Sequence, residues 1–121
     1  MQKTILCVED DACLREDLAE ELRIARYEVL VARNGREGLE AIATKSPDLI
    51  LTDISMPIMN GYELLTALRR GDHAFGQIPL IFMTAFDEAD TINKCPLLPE
   101  AVLQKPVDYG ELLTIVHRLL S

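Results

Sequence analysis

The chain has 121 residues, 49% apolar and 26% charged, which suits one folded domain over 1–121 with a substantial core rather than a disordered segment. Twenty acidic residues against twelve basic ones give a net charge of −8, the wrong sign for a surface that neutralises nucleic-acid phosphates. No apolar run approaches the ~20 residues of a membrane helix, and the opening MQKTILCVEDD turns acidic too soon for a secretory signal.

The first apolar segment, TILCV (4–8), runs into Glu9-Asp10-Asp11. Leu14, Leu18 and Leu22 then repeat at helical spacing, with Asp11 placed as N-cap. EVLVA (28–32) is the second strand. Asn34-Gly35 precedes a helical stripe of Leu39 and Ile42, so Asn34 reads as an N-cap rather than a hairpin residue. DLILT (48–52) leads to Asp53 and breaks at Met56-Pro57, and Leu64, Leu65 and Leu68 mark a third helix. Residues 69–79 read as a loop into PLIFM (79–83), which ends in Thr84. DEADTINKC (87–95) opens a fourth helix that Pro96 and Pro99 keep short or irregular. AVLQ (101–104) precedes Lys105-Pro106, and Asp108 with Glu111 has the form of a capping box before the last helix, which carries Leu112, Leu113, Ile115, Val116, Leu119 and Leu120.

The strands are near-continuously apolar, as strands covered on both faces are. Strict strand–helix alternation gives a doubly wound α/β fold: a five-stranded parallel sheet in the flavodoxin-like order 2-1-3-4-5. Ligands in such sheets bind beyond the carboxyl ends of the strands, where this chain places Glu9, Asp10, Asp53, Thr84 and Lys105. Each alone has an ordinary reading: a capping or loop acid, a turn threonine, a solvated lysine. Independent surface residues have no reason to converge on one edge. Crowded carboxylates repel unless a cation joins them, and an all-oxygen set suits Mg²⁺. A carboxylate can also be a nucleophile toward a phosphoryl group, a transfer that needs placement and charge neutralisation.

Three rivals use similar sheets. A magnesium phosphatase needs an acid two residues after its nucleophile, where Ser55 stands. A flavodoxin-type binder needs a Ser/Thr/Gly-rich phosphate loop, where EDDA stands. A binding module that is never phosphorylated remains open. Met56 and Met59 are packing residues, since thioethers do not suit magnesium. His73 and His117 take no role. Cys7, Cys13 and Cys95 are odd in number and lack metal spacing, which points to structural thiols in a reducing cytoplasm.

In order along the chain, ILCVEDD, DLILTDISMPIMNGYELL, PLIFMTA and QKP resemble the receiver domain of bacterial two-component response regulators. The resemblance implies that Asp53 accepts a phosphoryl group from a phosphohistidine of a sensor histidine kinase or phosphotransfer protein. It implies Mg²⁺, with Mn²⁺ a substitute, held by Asp10, Asp53 and the Ser55 carbonyl, with Glu9 acting through water. Lys105, Thr84 and the Ala85 backbone would contact the phosphoryl group. The Lys105–Pro106 bond would be cis, and Thr84 would signal through the surface of the 87–95 helix, strand five and the last helix. Phe86 would shield the phosphoryl group from water. The resemblance further implies a monomer or weak homodimer that controls a downstream protein or fused output domain, with no nucleic-acid or membrane contact of its own. Self-phosphorylation and slow self-dephosphorylation would be its only reactions. Two departures stand out: Val102 occupies a switch position that relatives fill with Tyr or Phe, and residues 95–100 replace the usual approach to strand five. The chain stops at Ser121, just past the last helix, so the expectation is a stand-alone regulator or a piece of a longer protein.

Overall fold

In the computed structural model, which describes residues 2–71, 73–85 and 97–121, strands and helices alternate along the chain. The elements are β1 (Thr4–Val8), α1 (Ala12–Ile24), β2 (Glu28–Ala32), α2 (Gly35–Thr44), β3 (Leu49–Asp53), α3 (Gly61–Arg70), a one-turn α4 (His73–Gly76), β4 (Leu80–Thr84), β5 (Ala101–Gln104) and α5 (Tyr109–Leu120). The strands form one parallel sheet in the order β2-β1-β3-β4-β5, the flavodoxin-like arrangement. The helix expected at 87–95, together with Phe86, Cys95 and Pro96, lies outside the described residues.

Alternation along the strands sorts the core into two layers. Leu6, Val8, Ile50 and Phe82 face α2 and α3, where Tyr62 meets Phe82 edge-on at 5.4 Å. Ile5, Cys7, Leu49, Leu51, Ile81 and Met83 face α1 and α5. Burial pushes the Cys7 thiol up to about 12, so it is core and not a nucleophile. Met56 and Met59 pack against the first layer, as packing residues should.

Local chemistry sets the helix starts. Asp11 Oδ1 accepts the Cys13 and Leu14 N–H groups, and Asn34 Oδ1 accepts that of Glu37. Asp108 caps α5 by accepting from the Glu111 N–H at 3.0 Å. The complete two-way box sits at Asn60–Glu63, opening α3, a second N-x-x-E-type spacing beside the Asp108–Glu111 one.

Three expectations are corrected. Continuous burial holds for β1, β3 and β4 only; β2 and β5 are the sheet edges, and Val31 and Val102 are exposed there. The loop 69–79 contains the helical turn α4, because Arg69 Nη1 reaches back to the carbonyls of Gly76 (3.1 Å) and Ile78 (2.9 Å) and closes the segment on itself. β3 and β4 each start and stop one residue later than the expected 48–52 and 79–83, with Asp53 and Thr84, the expected strand-end residues, as their last. Asp48 instead ties down the approach to β3, its Oδ2 accepting from the Thr4 N–H at 2.7 Å. Among the described residues no helix is long and apolar enough to cross a membrane.

Candidate phosphoacceptor and metal site

A carboxylate at the end of a buried central strand is fixed by the sheet on both sides. Asp53 is 4% exposed, and its Oδ1 accepts the Ile54 N–H at 2.8 Å. The preceding Thr52, fully buried, donates its hydroxyl to the Asp53 carbonyl at 2.9 Å. The chain then loops out and returns at Gly61, whose N–H bonds the Ile54 carbonyl at 2.8 Å. A Cβ on Gly61 would lie 2.5 Å from the Asp53 carbonyl oxygen, so the return path needs glycine for space.

β1 pairs directly with β3, and its last residue, Val8, lies opposite Thr52. That register carries Glu9 and Asp10 to the edge where Asp53 stands. Carboxylate oxygens of Glu9, Asp10 and Asp53 all lie within 4.8 Å of one another. Glu9 is 1% exposed; its Oε2 accepts the Asp11 N–H at 3.0 Å, and its carbonyl accepts from Arg15 Nη1 at 2.9 Å. Lys105 closes the group: its Nζ is 3.0 Å from Glu9 Oε1 and 3.1 Å from Asp53 Oδ2. The Lys105–Pro106 peptide is cis, as expected. Thr84 is buried, and its hydroxyl donates to the Ala85 carbonyl at 3.0 Å. The Lys105 N–H donates to the Thr84 carbonyl at 2.8 Å, which joins the ends of β4 and β5.

The electrostatics follow from crowding. Loss of solvent, together with the neighbouring Asp10 and Asp53, pushes the Glu9 carboxyl up to about 7 against the pull of the Asp11 N–H and Lys105. Burial works against the Lys105 ammonium, but its bonds to Glu9 and Asp53 outweigh that and raise its pKa. Of the three clustered carboxylates, Glu9 and Asp53 contact the Lys105 ammonium, and the excess negative charge and all-oxygen donor set fit a hard divalent cation.

The structure therefore brings Glu9, Asp10, Asp53 and Lys105 together and places Thr84 and Ala85 on the same edge. Ser55 follows two residues after Asp53 in the outgoing loop. Val102 lies opposite Phe82 on the edge strand β5, 40% exposed. Sequence reasoning missed Thr52, Arg15 and Gly61. Arg15 had a signal, a cation one turn into the helix after the acids; Gly61 had none, since its need is a contact with β3.

Comparison with known proteins agrees with this geometry. The family model described as Response regulator receiver domain matches residues 5–117. The chain is 37% identical over 119 residues to the phosphate regulon transcriptional regulatory protein PhoB of Pseudomonas aeruginosa, spanning 98% of this chain and 52% of that one. It is 37% identical over 122 residues to the probable transcriptional regulator ycf29 of Pyropia yezoensis, spanning 100% of this chain and 54% of that protein. The chain thus spans about half the length of these curated relatives. Among solved structures, the signal receiver domain of a signal transduction histidine kinase from Syntrophus aciditrophicus superposes with a TM-score of 0.89 at 34% identity, over 98% of this chain and 89% of that one. The chemotaxis response regulator CheY4 of Vibrio cholerae gives 0.86 at 26% identity, over 99% and 100%.

Proposed function

The chain belongs to the response regulator receiver domain family, which works in phosphorelay signalling and not as turnover catalysts, and we propose that Asp53 is its phosphoacceptor, charged from a phosphohistidine of a sensor histidine kinase or phosphotransfer protein. One observation carries the reading: Lys105, at 3.0 Å from Glu9 and 3.1 Å from Asp53, locks two of three clustered carboxylates into a single site.

An Asp53 carboxylate oxygen attacks phosphorus; the O–P bond forms as the N–P bond of the phosphohistidine breaks, and the imidazole nitrogen keeps the electron pair and takes up a proton. Lys105 exchanges its contact with Asp53 for one to the transferred phosphoryl oxygens. The Thr84 hydroxyl, now turned onto the Ala85 carbonyl, reorients toward the phosphoryl group, and the Ala85 N–H supplies a further donor. Mg²⁺, or Mn²⁺ in its place, would be held by Asp10, Asp53 and the Ser55 carbonyl, with Glu9 reached through water. Bound there, it offsets the negative charge gathered on the phosphoryl oxygens. Reorientation of Thr84 biases the surface around β5, Val102 and α5, which then controls a partner or a fused output domain, as the regulator names of the longer relatives suggest.

Incubation with acetyl phosphate and Mg²⁺ should add one phosphoryl group, seen by intact mass, and EDTA should prevent it. Asp53→Asn should take up none. Undiminished uptake by Asp53→Asn would move the acceptor elsewhere, and no uptake by the unsubstituted chain would leave a binding module with a receiver fold.

A further inference from the structure

The turn between β1 and α1 is closed by a side chain that its own helix does not call for. The ladder of β1 ends where the Glu9 N–H donates to the Ala32 carbonyl at 3.0 Å, and α1 begins one residue after Asp11, its N-cap. The Glu9–Asp10 peptide lies between these two frames. Its carbonyl oxygen accepts from Arg15 Nη1 at 2.9 Å, while the Arg15 backbone N–H bonds the Asp11 carbonyl at 2.9 Å. The guanidinium therefore reaches back past the start of its own helix.

Arg15 is the fourth residue of α1, at the end where the aligned peptide dipoles disfavour positive charge. Among the described residues it forms no ion pair. Its side chain is half-buried, and one bond to a neutral carbonyl offsets only part of the cost of removing a charge from water. Neither helix preference nor charge pairing accounts for arginine at this position.

The consequence falls on Asp10. Glu9 and Asp53 are each held by a backbone N–H and by Lys105. Asp10 is exposed, and among the described residues no backbone N–H and no cation holds its carboxylate. The backbone that carries it is what brings it within 4.8 Å of the other two acids. Arg15 fixes the peptide entering Asp10. That peptide turns as a rigid plane, so releasing its oxygen lets the Asp10 carboxylate swing away from the cluster.

We infer that Arg15 is a positioning residue for the divalent cation: it pins the Glu9–Asp10 peptide so that the Asp10 carboxylate faces Asp53 before an ion arrives. It touches neither the ion nor the phosphoryl group. The inference rests on Asp10 and Asp53 forming the cation site proposed above. The sign of the effect separates this role from plain electrostatics. A guanidinium near a cation site repels the cation, so neutralising it should tighten binding, whereas loss of a positioning contact should weaken it.

The measurement is Mn²⁺ binding by the full chain without a phosphodonor, read from the electron paramagnetic resonance signal of free Mn²⁺. The unsubstituted chain is set beside Arg15→Met, Arg15→Gln, Arg15→Lys and Asp10→Asn, each titrated well below its own melting midpoint so that unfolding cannot imitate weak binding. Arg15→Met should bind about tenfold more weakly, and Arg15→Gln gives the same comparison should Arg15→Met fold poorly. Arg15→Lys keeps a donor for the carbonyl and should recover most of the loss. With acetyl phosphate, the Mg²⁺ concentration for half-maximal uptake should rise by about the same factor in Arg15→Met, at an unchanged rate once Mg²⁺ saturates. Mn²⁺ binding that is equal or tighter in the neutral variants overturns the inference. So does an equal loss in Arg15→Lys, or a saturated rate that falls as far as the affinity. Failure of the unsubstituted chain to bind Mn²⁺, or undiminished binding by Asp10→Asn, overturns the cation site first and the positioning role with it.

Discussion

The two ends of the sheet treat charge in opposite ways. At the amino ends of the strands each acid has its own donors. Asp48 accepts from the Thr4 N–H, Glu28 pairs with Lys45, and Glu100 Oε1 accepts both Arg69 Nη2 (2.6 Å) and the Leu80 N–H (2.7 Å). At the carboxyl ends Glu9, Asp10 and Asp53 crowd together, and one lysine pairs with Glu9 and Asp53. Ion pairs at the first end are closed and serve the fold. Those at the second are left short of positive charge, which costs stability and leaves room for a cation and a phosphoryl group.

The pH response should separate the two ends most strongly. The folded Glu9 pKa, about 7, lies above its ordinary 4.5, so its contribution to stability is fully present below about 4.5 and is lost as pH rises through about 7. Without metal, urea unfolding should show this contribution shrinking by on the order of 3 kcal/mol between those limits. Glu9→Gln should flatten the response, and Mg²⁺ should offset it at the alkaline end. An unchanged pH profile in Glu9→Gln would mean that the crowding carries no energetic cost.

Breaking the closed end should do the reverse. Arg69→Met removes the charged partner of Glu100 and the contacts to the Gly76 and Ile78 carbonyls, and should cost about 1–3 kcal/mol in urea unfolding. Phosphoryl uptake from acetyl phosphate should stay unchanged; a parallel fall in uptake would show the two ends to be coupled. The smallest effect should come from Arg26, at the amino-end side of the sheet, where α1 hands over to β2. Its φ is 73°, and the Tyr27 N–H donates to the Leu22 carbonyl, as at helix ends that favour glycine. Arg26→Gly should stabilise by about 0.5–1 kcal/mol, read as a small rise in melting temperature.

Much of the site was legible because its residues end strands. TILCV into Glu9, DLILT into Asp53 and AVLQ into Lys105 are each a mainly apolar run that ends in a charged residue, and parallel strands bring such ends to one edge. The receiver resemblance supplied the roles. The exposure of Val31 and Val102 was not legible, because an edge strand and a central strand carry the same β-branched residues and differ only in their neighbours.

The sequence by itself determined the order of the five strands, the helices α1, α2, α3 and α5 between and after them, and the caps at Asp11, Asn34 and Asp108, because those depend on periodicity and on bonds a few residues long. Only the tertiary structure decided that Lys105 would span 96 positions to hold Glu9 and Asp53 together, and that Gly61 must press against β3. Each of those depends on distances between segments far apart in the chain, which are fixed when the sheet and its helices pack and not before.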